Sequence, residues 1–181
     1  MRACRLSDDA LRICTNLELL DASKNTKITT CAPFAKSLTE LYAADTCGIS
    51  DEGLHLCTRI KILGIDDNNK ITTCDQFAKS LIKLLAGSST QNNDKCGMSD
   101  EGLRSCTCIK ILNARGNTKI TTCGPFANSL QQLYAYDACG KTDAGLDRCT
   151  SLTYLLSYGN YKISEYMIEK IKGRQLGPTL H

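Results

Sequence analysis

One short phrase occurs four times along this chain, and the repeat constrains its fold more than any other feature. Ser7-Asp8-Asp9-Ala10-Leu11 reappears as Ser50-Asp51-Glu52-Gly53-Leu54, Ser99-Asp100-Glu101-Gly102-Leu103 and Thr142-Asp143-Ala144-Gly145-Leu146, at steps of 43, 49 and 43 residues. Ile28-Thr29-Thr30-Cys31 returns at Ile71 to Cys74 and Ile120 to Cys123, at steps of 43 and 49. Both series place six extra residues in the same copy, and the polar run Ser88-Ser89-Thr90-Gln91-Asn92-Asn93 is the expected insertion, a protruding loop at the rim of the repeat. Self-similarity at a fixed period marks stacked units, none of which can bury its apolar side alone.

The 43-residue unit divides again into coils of 21 and 22 residues. Leu17-x-x-Leu20-x-Ala22-x-x-Asn25-x-x-Ile28 is followed by Leu38-x-x-Leu41-x-Ala43-x-x-x-Cys47-x-Ile49, and the alternation continues. Helix pairs do not read this way. Coil starts at Leu17, Leu38, Ile60, Leu81, Ile109, Leu130 and Leu152 predict seven short strands in register. Within each strand the fourth and sixth positions should point inward, from Leu20 and Ala22 through to Leu155 and Ser157, because side chains alternate across a strand. Asn25, Asn68, Asn117 and Asn160 hold the ninth position of alternate coils, where an amide can satisfy backbone groups of neighbouring turns. The Ser-Asp-Glu-Gly-Leu phrases read as short helices, with Ser or Thr as N-cap and acidic residues near the positive end of the dipole.

This spacing resembles the leucine-rich-repeat family over nearly the whole chain. The resemblance implies an α/β right-handed horseshoe with a parallel concave sheet and short helical convex segments. Its expected parts are a partial first repeat over 1–16, repeats over 17–163, and a C-terminal capping helix and tail over 164–181. The Cys-x-Ile-Ser-Asp-x-Gly-Leu phrase is similar to the cysteine-containing subclass found in ubiquitin-ligase adaptors, which implies a substrate-receptor role. It departs from that subclass in spacing, since Cys47-Gly48-Ile49 and Cys96-Gly97-Met98 hold one residue between Cys and the apolar position. The alternating Ile-Thr-Thr-Cys and Cys-Gly-Ile-Ser-Asp phrases look like multi-copy repeat proteins of amoeba-infecting giant viruses, which implies a host-facing interaction protein.

Composition removes several alternatives. Twenty-two Lys and Arg against 19 Asp and Glu give a formal charge of +3, with no basic stripe of the kind nucleic-acid binders carry. No apolar run approaches the ~20 residues of a membrane helix. Residues 1–9 carry no secretory pattern, so the expected location is cytoplasmic or nuclear, in the host cell if the chain is viral. The 12 cysteines fall into columns: Cys4, Cys47, Cys96 and Cys139; Cys14, Cys57, Cys106 and Cys149; Cys31, Cys74 and Cys123; Cys108 stands apart. Cysteines of one column lie two coils apart, about 9–10 Å at ordinary strand spacing, which is too far for a disulfide. They are expected to be reduced, buried thiols. Cys106-x-Cys108, with His55 and His181 as the two histidines, is a poor zinc pattern. Gly140-Lys141-Thr142 lacks the earlier glycine of a phosphate loop. No catalytic constellation, metal site or cofactor is expected.

The expected activity is therefore non-enzymatic binding of a protein partner on the outward positions of the strands. Those positions gather Tyr42, Tyr134, Tyr136, Tyr154 and Tyr158, with Arg115 and Leu156 beside the last four. Tyr and Arg offer large amphipathic area at modest entropic cost. Asp21, Glu40 and Asp66 on the same face oppose nucleic acid. A scaffold or assembly component is the alternative class. The strand Leu17 to Ala22 should form a sheet edge open to a second copy in a homodimer. At the other end, Ser164 should cap a helix that Gly173 terminates, with Met167, Ile168 and Ile171 facing the last coil.

Overall fold

The computed structural model describes residues 6–89 and 95–175. Seven strands, one per coil, form a single parallel sheet in chain order: β1 (Leu19–Asp21), β2 (Glu40–Tyr42), β3 (Ile62–Gly64), β4 (Lys83–Leu85), β5 (Ile111–Asn113), β6 (Gln132–Tyr134) and β7 (Tyr154–Leu156). Leu20, Leu41, Leu63, Leu84, Leu112, Leu133 and Leu155 lie side by side across it, as the coil starts predict. The ladder outlasts the strands proper. Ala22 N–H donates to the Tyr42 carbonyl at 2.7 Å and Lys24 N–H to Ala44 at 3.1 Å, and the same pair of bonds recurs from coil to coil. The chain then leaves the sheet through a left-handed residue, at Lys24, Asp45, Asp67, Gly116, Asp137 and Gly159. Asp and Gly tolerate that conformation, which is why short polar residues crowd this corner.

Seen in cross-section, each coil is a core of leucine, isoleucine, alanine and cysteine with the sheet on one side and single helical turns on the others. The turns are α1 (Asp8–Leu11), α2 (Asp51–Leu54) and α3 (Asp143–Leu146), with 3-10 turns at Ala32–Phe34, Asp75–Phe77, Glu101–Leu103 and Gly124–Phe126. Phe34, Phe77 and Phe126, which the sequence reading passed over, are among the largest fully buried side chains. Each fills the middle of its coil at the same period as the cysteines. Glycine is obligatory where the coils touch: a Cβ on Gly102 would stand 1.9 Å from the Thr72 carbonyl oxygen.

The asparagine column behaves as expected. Asn117 donates to the carbonyls of Ala86 (2.9 Å) and Met98 (3.2 Å) and accepts from the N–H of Lys119 (2.9 Å) and Ile120 (3.3 Å). Asn160 repeats this with Ala135, Lys141 and Lys162. Ser7, Ser50 and Thr142 stand at the N-cap position as expected, while in the third repeat Asp100 takes that place. Ser7 and Ser50 make no side-chain cap bond, and of the residues in that column only Thr142 does, from Gly145 N–H at 3.3 Å. The aspartate that follows serves the next coil instead: Asp51 accepts from Thr72 N–H at 2.9 Å and from its hydroxyl at 2.6 Å, and Asp100 holds Thr121 in the same way. A one-turn helix has little dipole to complement, whereas a stacked coil offers real donors.

Helix α4 (Glu165–Gln175) closes the stack. Ser164 Oγ accepts from Met167 N–H at 3.2 Å, and Met167 and Ile171 are buried as expected. Gly173 does not end the helix. Its Cα faces open space, and Arg174 Nη1 donates to the Cys149 carbonyl at 2.5 Å, tying the following residue down. The insertion also begins later than Ser88. Ser88 is buried, donates its N–H to the Arg115 carbonyl at 2.7 Å, and so holds a regular ladder position. The extra residues lie between Ser88 and Cys96; of the expected loop, Thr90 to Asn93 fall outside the described residues.

Candidate functional site

The seven residues expected on the outward face of the sheet divide into a patch of three, a pair beside it and two that stand apart. Tyr134 and Tyr154 stand on the neighbouring strands β6 and β7 with ring centroids 5.5 Å apart and planes tilted by 52°. Leu156 pairs with Tyr134 across the ladder, so the three form one apolar patch. Tyr154 is 40% and Leu156 38% exposed, a large apolar area left in water at the end of the sheet. Arg115, beyond β5, lies over the Tyr136 ring at 5.1 Å from its centroid and donates from Nε to Asp137 Oδ2 at 2.7 Å. The carboxylate fixes the guanidinium on the ring, a cation–π stack held in place by an ion pair, and its hydrogen bond raises Arg115 above its ordinary pKa.

Tyr158 is 84% exposed at the turn after β7, where its carbonyl accepts from Asp137 N–H. Tyr42 stands apart. It lies on β2, four strands from β6, about 19 Å at ~4.8 Å per strand. Its ring covers Gly64 and its hydroxyl donates to Glu40 at 2.6 Å. That bond to a carboxylate raises the Tyr42 hydroxyl above its usual pKa.

The sequence reading missed the cleft beside this patch. Asp66, Gly87, Ser89, Asn113, Arg115 and Tyr136 line a space of about 240 Å³ where the chain leaves β3, β4 and β5. Gly87, having no side chain, opens it: a Cβ there would stand 2.8 Å from Asp66 Oδ1. Asp66 accepts from Gly87 N–H at 2.8 Å, yet burial still pushes its carboxyl above the ordinary value. The cleft therefore presents a carboxyl, an amide and a guanidinium next to an aromatic surface. A glycine where its neighbours carry Ala44, Asp66 and Arg115 was the available signal.

The cysteines are arranged more specifically than in columns. Eleven described cysteines carry free thiols, nine of them buried. The sequence reading compared each column only with itself, whereas in the fold Cys31 meets Cys57, Cys74 meets Cys106, and Cys123 meets Cys149. The backbone makes the pairing regular. Cys31 N–H donates to the Gly53 carbonyl and Cys57 N–H to Leu54, so the two cysteines bracket one Gly-Leu turn, and the other pairs repeat this around Gly102-Leu103 and Gly145-Leu146. The spacings of 26, 32 and 26 residues, with the six-residue insertion in the middle one, were legible in the sequence.

Among the described residues no group of three or more His, Cys, Asp or Glu is placed to hold a metal ion, and no helix is long and apolar enough to cross a membrane. No protein-family model matches the chain, and a search of curated proteins returns no match.

Proposed function

We propose that the chain is a leucine-rich-repeat horseshoe whose work is non-enzymatic protein binding, with the partner seated on the β5 to β7 end of the sheet. The coil length, the one short strand per coil and the buried asparagine column support the family reading. The binding reading rests on one observation: Tyr134, Tyr154 and Leu156 form a continuous exposed apolar patch on a rigid sheet, bordered by the clamped Arg115–Tyr136 pair. Aromatic anchors and arginine on a preorganised surface are what protein interfaces use to gain affinity without ordering cost. The cleft at Asp66 and Asn113 adds polar groups that can receive a donor-bearing side chain of the partner.

Affinity capture from extract with the wild type and with a Tyr154→Ser, Leu156→Ser double variant tests the site. Both residues are exposed, so the variant should melt with the wild type while losing the partner. Equal recovery by both would remove the patch from the binding surface. Loss of binding by a Tyr42→Ala control alone would move the site to the opposite end of the sheet.

A further inference from the structure

One carboxylate in the cleft beside the aromatic patch has no cation against it. Among the described residues Asp66 takes part in no ion pair. The acids near it are engaged: Asp45 lies 3.7 Å from the Lys24 amine, and Asp67 accepts from Ser88 and Ser89. Asp66 Oδ1 accepts from Gly87 N–H at 2.8 Å, and among the described residues no other residue donates to Oδ2. Arg115, the cation lining the same cleft, is committed to Asp137 at 2.7 Å and to the Tyr136 ring. The cleft therefore carries a negative charge without a counterion, deepened by the field of Asp67 and Asp45.

We propose that this cleft seats a lysine side chain of the partner, on an extended segment whose apolar residue four positions away covers Tyr134, Tyr154 and Leu156. The inference rests on the reading of that patch as the binding surface and adds the chemistry of what binds there. A cation supplies what the cleft lacks, because Arg115 is already neutralised and Asp66 is not. An ammonium fits better than a guanidinium. A guanidinium grips a carboxylate through both oxygens at once, whereas Oδ1 is held by Gly87 and one oxygen remains. The ammonium is a point donor and needs only that one. Burial holds the Asp66 carboxyl above its ordinary pKa, and an ammonium against it favours the charged form again.

The spacing follows from the sheet. Gly87, in the cleft wall, follows β4, and the patch ends on β7, three strands away in the strand order or about 14 Å at ~4.8 Å per strand. An extended chain advances about 3.3 Å per residue, so about four residues cover that distance. Residues i and i+4 of an extended chain face the same side, so the lysine and the apolar residue reach both places without a turn. Between them the segment passes Asn113, whose Oδ1 accepts from Arg115 N–H at 3.0 Å. The Asn113 amide hydrogens remain for a carbonyl of the segment.

Random peptides displayed on phage are selected against the native full chain, and the enriched sequences are synthesised and titrated. They should carry a lysine four residues from an aromatic or aliphatic side chain. Asp66→Asn keeps an acceptor for Gly87 N–H and removes the charge, and it should weaken a selected peptide about tenfold, the scale on which close charge pairs couple. Replacing the peptide's lysine by norleucine should cost the wild type the same factor and leave the affinity of Asp66→Asn unchanged, as two halves of one contact require. Peptides that need Tyr154 and Leu156 but carry no lysine, or that bind Asp66→Asn as tightly as wild type, overturn the lysine cleft and leave the patch standing. Peptides indifferent both to Asp66→Asn and to the Tyr154→Ser, Leu156→Ser double variant, or a selection that enriches nothing, overturn both readings. Should Asp66→Asn fail to fold, the exchange of lysine for norleucine on the wild type decides alone.

Discussion

Lys141 fills, in the core of the sixth coil, the position that Met98 fills one double coil earlier, and both are completely buried. The surrounding coils are built alike, so the exchange isolates the cost of one buried amine. Removing a charge from water costs several kcal/mol, and a single carbonyl with a thiol does not return it all. Lys141→Met should therefore stabilise the protein by about 1–4 kcal/mol, read as a higher Tm in a thermal melt. A lower Tm would mean that the amine holds the coil together.

Gly102 and Gly173 give opposite expectations for the same substitution. Alanine at Gly102 brings a Cβ to 1.9 Å from the Thr72 carbonyl and 2.8 Å from Met98 Sδ, contacts that only a separation of the coils relieves. A loss of about 3 kcal/mol or more is expected, at or beyond the upper end of what overpacked cores cost. Alanine at Gly173 meets nothing within 4 Å and sits inside α4, where it should gain about 0.5–1 kcal/mol. Denaturant titration of the two variants checks the sign at each position.

What could be read from the sequence was whatever repeats along the chain. The seven strands, their register, the inward leucines and the asparagine column all follow from period alone, because identical coils must stack in identical poses. Relations across a coil were harder to see. The Cys31–Cys57 pair joins two different columns, and no comparison of a column with itself reveals it. Asp51 lies in the first turn of its own helix, yet its donors come from Thr72 in the following coil. The end of α4 departs from the reading because Arg174 finds carbonyl acceptors at Cys149 and Leu152 that the sequence does not place beside it. The exposed patch was legible as residue types on outward positions, but its separation from Tyr42 needed the strand order, and the cleft at Asp66 needed the missing side chain of Gly87.

Asn117 is the most connected member of its column. Its amide satisfies two carbonyls and its oxygen two N–H groups, three of these bonds buried and the one from Lys119 part-buried. Asn117→Leu leaves these backbone groups without partners, at about 1–3 kcal/mol for each that stays buried. The variant should lose at least about 2 kcal/mol. Hydrogen exchange should rise first at the Lys119 and Ile120 amides; protection there equal to that of wild type would show that other acceptors replace the side chain.

Deleting residues 89–94 joins Ser88 directly to Lys95 and restores the spacing that Asp45 and Cys47 show in the second coil. Ser88 keeps its ladder bond to Arg115, so the sheet should survive and circular dichroism should match the wild type. The local loss falls on Asp67. Burial pushes this carboxyl up, but the bonds from Ser89 and Ser88 prevail and leave it below its ordinary pKa. A carboxyl lowered by folding stabilises the fold above its unfolded pKa, near ~3.9, and that contribution disappears as the pH falls through the folded value. The deletion removes the Ser89 share of it. Its Tm should therefore lie below that of wild type at pH 7 and approach it as the pH drops under about 4. A gap that stays constant over that range would place the cost of the deletion elsewhere than on Asp67.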